Sequence, residues 1–201
     1  MQFNIHSWDD RYRETPPWDI GRPQPEFVRL FKDGEIKPGR ILDAGCGTGE
    51  NALFLAENGC SVAGIDVAHR AIELARKKAK DRHIKADFFI CDALTLTTCF
   101  PPGEFDTIID SGLFHTLEDA GRPVYMEQIC KVLKDGGHFF MMCFSDKQPG
   151  DWGPRRVSKQ EIMQALLPPL RINYIKEKEF ETTRGDLRPK AYLVSATKII
   201  L

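Results

Sequence analysis

The sequence lacks the features that mark membrane, secreted and nucleic-acid-binding proteins. None of its 201 residues lies in an apolar stretch of membrane-spanning length, and the opening residues MQFNIHSWDDRY do not have the pattern of a secretory signal peptide. The formal net charge is −1, with acidic and basic residues interspersed, so there is no basic stripe for nucleic acid. We therefore expect a cytoplasmic protein without a nucleic-acid or membrane partner. The sequence says nothing about its oligomeric state.

Cysteine and histidine are too scattered to form a recognisable metal centre. The six cysteines show no C-x-x-C spacing, and the five histidines show no H-E-x-x-H pattern. We expect small, reduced core thiols and no metal site. The cysteines are Cys46, Cys60, Cys91, Cys99, Cys130 and Cys143.

A short apolar run followed by alternating glycines is the most informative stretch of the chain. Residues 41–42 predict a buried strand, Asp43 follows, and residues 50–59 predict a helix that Gly59 closes. Glycine lets a ligand lie against bare backbone, and a helix N-terminus offers free amides to a negatively charged group. An acid before such a loop suits a ligand that carries an ammonium group, not a pyrophosphate. The loop residues are Gly45, Cys46, Gly47, Thr48 and Gly49.

The D-x-G-x-G-x-G pattern resembles the first motif of class I S-adenosyl-L-methionine (SAM)-dependent methyltransferases and differs from the G-x-G-x-x-G dinucleotide fingerprint. SAM carries a carboxylate for the helix end and an ammonium group for Asp43. The resemblance implies SAM as cofactor and a small-molecule methyl acceptor. A turn that merely joins a strand to a helix is the alternative reading of the loop taken alone.

Acids end the next three predicted strands as well. Asp66 lies about 20 residues past the first glycine, the distance at which a carboxylate meets ribose hydroxyls in a βαβ unit. Asp92 follows the third strand, and the resemblance implies that it accepts from the adenine amino group. Asp110 ends the fourth strand. We expect these acids, with Val67 and Ala93, to contribute to the cofactor site, although each alone is typical of an ordinary turn or cap.

The alternation of strands and helices predicts a Rossmann-like α/β fold with helices on both faces of a seven-stranded sheet. Residues 171–181 and 191–198 predict two successive strands without a helix between them, hence an antiparallel hairpin. The family resemblance implies the order 3-2-1-4-5-7-6. We expect one domain over residues 1–201, with residues 1–25 as a lid and residues 26–201 as the SAM-binding core.

The N-terminal segment resembles the lead segment of thiopurine and thiol/halide methyltransferases, through its Trp-x-x-x-aromatic step and a Pro-Trp-Asp-x-Gly stretch. In that family such aromatics close over the cofactor and part of the substrate pocket. Carried over, Trp8, Tyr12 and Trp18 would form this cover, which we expect to order when the cofactor binds. The alternative is that Trp8 and Tyr12 form one face of an amphipathic helix on the core.

The acceptor site is predicted from residues after the fourth and fifth strands. The stretch Gly-Pro-Arg-Arg-Val-Ser resembles bacterial small-molecule methyltransferases that act on aromatic hydroxyl compounds. Trp152 and Arg155, with Phe114, are expected to line the pocket. A surface loop with a paired arginine is the alternative for Arg155.

His115 is the candidate general base because it lies shortly past the fourth strand. A thiolate or halide acceptor needs little acid–base help, whereas a hydroxyl or amine must lose a proton. We expect S-methylation of a thiol or thiopurine-like compound, with O- or N-methylation of a small aromatic as the alternative. An NAD-dependent oxidoreductase is disfavoured by the glycine spacing, and a non-catalytic SAM-binding protein stays open.

Overall fold

The computed structural model describes the backbone of residues 5–200 and the side chains of residues 8–200. The six α-helices of this part of the chain are α1 Ile5–Arg11, α2 Pro25–Lys32, α3 Glu50–Glu57, α4 His69–Asp81, α5 Gly121–Val132 and α6 Lys159–Ala165. Its seven strands are β1 Arg40–Ala44, β2 Ser61–Asp66, β3 Asp87–Ile90, β4 Phe105–Ser111, β5 Leu133–Phe144, β6 Leu170–Glu179 and β7 Lys190–Lys198. Two 3₁₀ helices, Ala93–Thr98 and Phe114–Thr116, follow β3 and β4.

The strands form one sheet in the order β3-β2-β1-β4-β5-β7-β6, which confirms the predicted fold. The pairs among β1 to β5 are parallel, and β7 runs antiparallel to both β5 and β6. Successive residues of a strand point to opposite faces, so Ile41 and Leu42 enter separate apolar clusters on the two sides of the sheet. The carboxyl ends of β1, β2, β3 and β4 consequently meet along one edge, where ligands bind in such sheets.

The fifth strand is longer than the sequence predicts. The glycine-rich turn of residues 134–137 predicts a strand that starts at residue 138, but pairing with β4 already begins at Leu133 and shifts register before His138. The irregularity is where the glycine-rich turn interrupts the ladder. The carboxyl end of β5, which matters for the site, lies where it was predicted.

The N-terminal segment begins with a short helix docked on α4. Tyr12, just past α1, is buried against Ala68 and Ala71, and Trp8 packs partly buried against the same group. This packing resembles the alternative of a helix docked on the core, except that Tyr12 lies just past the helix. The segment after α1 is tied to a loop that is distant in sequence, because Thr183 donates its backbone N–H to the Pro17 carbonyl oxygen at 2.9 Å.

The prediction of six reduced cysteines is wrong for one pair. Cys91 and Cys99 form a disulfide, with their Cα atoms 6.7 Å apart. The 3₁₀ helix after β3 turns the chain back on itself and brings the two residues together, which a spacing of eight residues does not reveal. The other four cysteines are free.

Two further properties of the described residues concern membrane-spanning helices and groups of metal-binding side chains. No helix among residues 5–200 has both the length and the apolar character needed to cross a lipid bilayer. Within the same residues, no group of three His, Cys, Asp or Glu side chains has an arrangement that could hold a metal ion.

Candidate active site

The glycine loop joins β1 to α3 at the ligand edge of the sheet. Gly47 has φ +53°, and a Cβ atom built on it would lie 2.9 Å from the hydroxyl oxygen of Tyr12. Gly49 has φ +85°, and a Cβ there would lie 2.8 Å from the ring of Phe88. Gly47 therefore makes room for Tyr12 of the N-terminal segment, and Gly49 lets the start of α3 approach the Phe88 ring of β3. The sequence explained Gly47 by a ligand or the turn itself and missed its contact with Tyr12.

Asp43 is a fully buried carboxyl group that has no hydrogen bond of normal geometry within the described residues. Its side chain is 0 % exposed, and neither oxygen accepts a hydrogen bond from the described residues. Burial raises the pKa of Asp43 to about 8, and repulsion from Asp110 and Asp66 acts in the same direction. The nearby backbone amide of Ala52 in the first turn of α3 opposes this rise, although it does not form a hydrogen bond of normal geometry. A buried ionisable group that lacks a partner is unfavourable by itself, so this site is suited to a cationic ligand group. The ammonium group of SAM fits this observation.

Asp66 holds the glycine loop in place. One oxygen accepts from the Gly47 amide at 3.0 Å and the other from the Ala68 amide at 2.9 Å. Burial raises the pKa of Asp66 despite these bonds. Each carboxylate oxygen has a further acceptor position, so ribose hydroxyls remain possible partners. Val67 lies half-buried between these bonded residues.

Asp92 and Ala93 begin the 3₁₀ helix after β3. The exposed Asp92 caps it by accepting from the Leu94 amide at 2.9 Å, and Ala93 is buried. The disulfide of Cys91 encloses this short segment. The expected contact of Asp92 with adenine stays a prediction.

Asp110 has a structural role that the sequence did not reveal. It is 0 % exposed and accepts from the Leu113 amide at 2.7 Å, the Phe114 amide at 3.1 Å and the Tyr125 hydroxyl at 3.0 Å. These donors occupy both oxygens, so Asp110 shapes the loop after β4 and anchors it to α5. The expected contact of Asp110 with the cofactor stays a prediction.

His115 lies buried between aromatic rings and is not arranged as a base. Its Nδ1 accepts the backbone N–H of Phe144 at 3.0 Å, and its ring centroid lies 4.9 Å from that of Phe144 and 6.0 Å from that of Phe180. Burial lowers the pKa of His115 to about 3, and the charges of Arg122 and Arg156 act in the same direction. A neutral imidazole whose Nδ1 accepts carries its proton on Nε2. The predicted general base is thus a hydrogen-bond donor.

The aromatic residues of the N-terminal segment form a cluster beside the glycine loop. The ring centroid of Trp18 lies 6.2 Å from that of Trp8 and 6.3 Å from that of Tyr12, and the indole N–H donates to the Tyr12 hydroxyl at 3.2 Å. Trp18 remains 42 % exposed, whereas Tyr12 is buried. The structure brings the three residues together, and their contact with a cofactor stays a prediction.

A polar network that the sequence did not predict holds Thr48 of the loop. The Thr48 hydroxyl donates to Asp19 at 2.8 Å and accepts from Lys78 at 2.6 Å. Lys78 also contacts Glu50 at 2.8 Å, and Arg82 binds both oxygens of that glutamate. Asp19 belongs to the Pro-Trp-Asp-x-Gly stretch, and its position next to Trp18 in that stretch is the sequence signal that could have indicated this network.

Two of the residues predicted to line the acceptor pocket lie elsewhere. Phe114 is 0 % exposed in the core, with the guanidinium carbon of Arg122 4.8 Å from its ring centroid. Arg155 pairs with Asp119 at 2.6 Å and with Glu161 at 2.5 Å, which is the surface-pair alternative. Phe114 does not face a pocket because its backbone amide is bonded to Asp110, and this bond turns the side chain inward.

Trp152 lies in the loop after β5, and its contact with an acceptor stays a prediction. It is 40 % exposed, and its ring meets that of Phe144 edge-on at 6.2 Å. The guanidinium of Arg156 lies 5.6 Å from the Trp152 ring and 5.7 Å from the Phe144 ring. The same guanidinium donates to three backbone carbonyls of its own loop, at Gln148, Gly150 and Pro154. Arg156 therefore shapes the loop that carries Trp152.

Comparisons with known proteins agree with this geometry. A family model described as a methyltransferase domain matches residues 41–137. The chain is 38 % identical over 154 residues to 2-heptyl-1-hydroxyquinolin-4(1H)-one methyltransferase of Mycobacteroides abscessus, covering 75 % of this chain and 66 % of that protein. It is 32 % identical over 152 residues to probable thiol methyltransferase 2 of Arabidopsis thaliana, covering 76 % and 67 %. The chain spans about two thirds of the length of these curated relatives.

Solved structures extend the likeness to nearly the whole chain. A structure concerned with the conversion of a disulfide bond into a thioacetal group during echinomycin biosynthesis matches with a TM-score of 0.89 and 33 % identity, covering 97 % of this chain and 93 % of that one. Burkholderia thailandensis 1,6-didemethyltoxoflavin-N1-methyltransferase matches with a TM-score of 0.71 at 19 % identity, over 98 % and 84 % of the two chains. The second likeness shows the fold alone.

The sheet order and the loop after β1 define a class I methyltransferase fold. The chain belongs to the SAM-dependent methyltransferase family. Its cofactor is S-adenosyl-L-methionine, and the partnerless carboxylate of Asp43 is the structural feature that fits the ammonium group of that molecule.

Proposed function

We propose that this methyltransferase acts on a small molecule whose accepting atom is ionised before transfer, first of all the sulfur of a thiol or thiopurine-like compound. The hydrogen bond from the Phe144 amide to His115 Nδ1 carries this proposal. It leaves the imidazole with a proton on Nε2 and no free lone pair, and the low pKa keeps the ring neutral. A base catalyst needs a lone pair, so the acceptor must lose its proton by its own acidity.

Thiols meet that condition better than ordinary phenols. A free thiol has a pKa of about 8.5 and a phenol one of about 10, so the thiolate fraction is larger at neutral pH. The surroundings of His115 favour an anion, because its Nε2–H is a donor and because Arg122 and Arg156 contribute positive charge. The rings of Phe144 and Phe180 supply apolar contact for the rest of the acceptor.

The residues that would hold the cofactor lie along the carboxyl ends of the first three strands. Asp43 would bind the ammonium group, the amides of the glycine loop the carboxylate, and Asp66 the ribose hydroxyls, while Asp92 and Ala93 would border the adenine. When bound, SAM supplies a methyl group already activated by a sulfonium. The chain then has to align donor and acceptor and exclude water, for which we assign Tyr12 and Trp18.

The pH dependence of the rate tests this function directly. With a series of substituted thiophenols, the inflection in kcat/KM is expected to follow the pKa of each thiol. An inflection that stays at one pH for every acceptor would indicate an enzymic base and contradict the proposal. His115→Phe should lower kcat/KM without moving the inflection, while Lys131→Gln on the exposed face of α5 serves as the control.

An acidic aromatic hydroxyl is the second candidate acceptor. The 38 % identity to a hydroxyquinolinone methyltransferase favours it. Comparing thiophenol with 1-hydroxyquinolin-4(1H)-one at matched concentrations of the ionised form separates the two. A higher kcat/KM for the thiolate supports the first candidate, and a higher value for the hydroxyquinolinone supports the second.

We further propose that the chain acts as a single domain in the cytoplasm, without a nucleic-acid partner. The net charge of −1 supports the last point, and four free thiols favour a reducing compartment. Residues 1–25 are proposed to act as the lid of a core formed by residues 26–201. Dialysis against glutathione at a cytoplasmic redox ratio, followed by thiol counting, tests whether the disulfide of Cys91 and Cys99 opens there.

A further inference from the structure

Arg122 has an unusual environment for a charged side chain. It is the second residue of α5 and only 6 % exposed, with its guanidinium carbon 4.8 Å from the ring centroid of Phe114. Its Nη1 lies 3.6 Å from Asp119 and 3.6 Å from Glu161, which is beyond hydrogen-bond distance. Arg155 takes the same two carboxylate oxygens at shorter distances. Arg122 therefore has two weak ionic neighbours and no hydrogen-bond partner there.

The remaining two nitrogens of Arg122 are buried and unpaired. Neither Nε nor Nη2 has a hydrogen-bond partner among the described residues. These two nitrogens form one edge of the planar guanidinium, the edge that donates two parallel bonds to a carboxylate. Leaving charged donors buried without acceptors is strongly unfavourable. Burial lowers the pKa of Arg122, but a guanidinium remains charged in proteins.

The unpaired guanidinium edge of Arg122 lies at the end of the sheet that holds the proposed acceptor site. The charge of Arg122 helps to lower the pKa of His115, and it opposes the rise that burial causes in the pKa of Cys143, near the carboxyl end of β5. Phe114, whose ring Arg122 covers, is the chain neighbour of His115. A planar anionic group bound by Arg122 would therefore lie at the same end of the sheet as His115, within reach of the charges that act on it.

We propose that Arg122 binds a carboxylate on the methyl acceptor, so that the substrates of this enzyme are small aromatic acids carrying a thiol or acidic hydroxyl. This rests on the proposed function for the methyl-accepting atom. Because Nε and Nη2 are enclosed, the ligand reaches them when the exposed loop around Arg155 shifts from its contacts with Asp119 and Glu161. Two glycines with positive φ, Gly150 and Gly153, lie in that loop.

Ligand binding tests this proposal without any methyl transfer. Benzoate and its neutral isostere benzamide are titrated into the wild-type protein saturated with S-adenosylhomocysteine, by calorimetry. Two charge-assisted bonds predict that benzoate binds roughly 10- to 100-fold more tightly. Equal affinities would overturn the proposal and would indicate that ordered water satisfies Arg122. This comparison needs no variant, so it stands even if substitution prevents folding.

Substitution then assigns the preference to one side chain. Arg122→Lys retains the charge but loses the bidentate edge, so the preference for benzoate is expected to fall to severalfold or less. Lys131→Gln, on the same helix and already exposed, is the matched control and should keep the wild-type ratio. A preference that survives in Arg122→Lys and Arg122→Gln would overturn the assignment.

Turnover separates this inference from the proposed function. Wild-type enzyme is expected to show a kcat/KM for 2-mercaptobenzoate roughly 10- to 100-fold above that for thiophenol. Equal turnover of both thiols would contradict the carboxylate site while leaving thiol methylation intact. Failure to methylate either thiol, with benzoate binding preserved, would contradict thiol methylation and leave the carboxylate site standing.

Discussion

Asp43 and Asp110 end neighbouring parallel strands, and both are fully buried, yet only Asp110 has hydrogen-bond partners. The register of β1 and β4 pairs Asp43 with Ile109 and Ala44 with Asp110. Asp110 accepts three bonds from its own loop and α5, whereas the oxygens of Asp43 accept none from the described residues. Burial raises the pKa of both, to about 8 for Asp43 and about 7 for Asp110. One carboxylate thus supports the fold, and the other is left for a ligand.

Substitution by asparagine should separate these two roles. Asp43→Asn is expected to weaken SAM binding by about 1.5–3 kcal/mol, because a charged partner of the ammonium is lost. It should not lower the free energy of unfolding at pH 7, because the carboxyl that it replaces is unfavourably buried. Asp110→Asn should lower the free energy of unfolding by about 1–3 kcal/mol, since its amide would face a donor. Calorimetry and urea unfolding measure the two effects. The reverse pattern would contradict the assignment.

Cofactor binding should release a proton from Asp43. With a pKa of about 8, the unliganded carboxyl is mostly protonated at pH 7. The ammonium group favours the carboxylate, so its pKa falls on binding and up to about one proton leaves. Calorimetry at pH 7 in phosphate and in Tris should show binding enthalpies that differ by the ionisation enthalpies of the buffers. Equal enthalpies in the wild type, or a difference that persists in Asp43→Asn, would contradict this.

The same group predicts a pH dependence of stability. The folded pKa of Asp43 lies above its unfolded value, so its favourable contribution is fully present below about pH 4. It declines as pH rises and is lost on passing through about pH 8. Relative to Asp43→Asn, the wild type without cofactor should therefore lose stability between pH 6 and pH 9. Urea midpoints at these two pH values check the sign, and a wild type that gains relative to the variant would contradict it.

Gly47 should resist substitution because of Tyr12. Gly47→Ala would place Cβ 2.9 Å from the Tyr12 hydroxyl, displace the N-terminal segment and weaken SAM binding. Gly103→Ala is the matched control, because it also has positive φ but nothing within 4 Å, and should lose only about 1–2 kcal/mol of stability. Tyr12→Phe removes the clashing oxygen and should partly restore binding to Gly47→Ala. Without such rescue, the defect would lie in the loop itself.

The N-terminal segment is predicted to close more tightly when cofactor binds. In the structure it is tied to the core by Asp19 with Thr48 and by Gln24 with Glu181, so Trp18 lies directly before the first of two anchors. S-adenosylhomocysteine should slow proteolysis in residues 8–25, and Trp18→Ala should weaken cofactor binding or raise the KM of the acceptor. Equal cleavage rates with and without the ligand would make the segment a structural lead-in only.

Thiol counting checks the disulfide. Protein purified in air and denatured without reductant should show the four free cysteines, and all six after reduction. Cys99→Ser should show five thiols in both conditions, since Cys91 then has no partner. Six reactive thiols in the unreduced wild type would restore the expectation of reduced cysteines throughout.

Much of the architecture follows from local patterns in the sequence. Apolar strands ending in acids, helices of amphipathic spacing and an alternating glycine loop are local features, and β1 to β4 and α3 appear where they were predicted. The hairpin of β6 and β7 follows from two strand patterns without a helix between them. The sheet order came from resemblance, because periodicity does not say which strands become neighbours.

Only the tertiary structure decided which polar residues are free to meet a ligand. Asp43 and Asp110 both follow apolar strand residues, but the loop after β4 folds two amides onto Asp110, and the Tyr125 hydroxyl reaches it from a helix 15 residues away. His115 becomes a donor because the Phe144 amide, 29 residues away, occupies its Nδ1. Hydrogen-bond partners and burial are set by contacts between distant segments, and a sequence read locally contains neither. The sequence by itself determined the fold and the cofactor, while the packed sheet edge determined the chemistry left to each side chain.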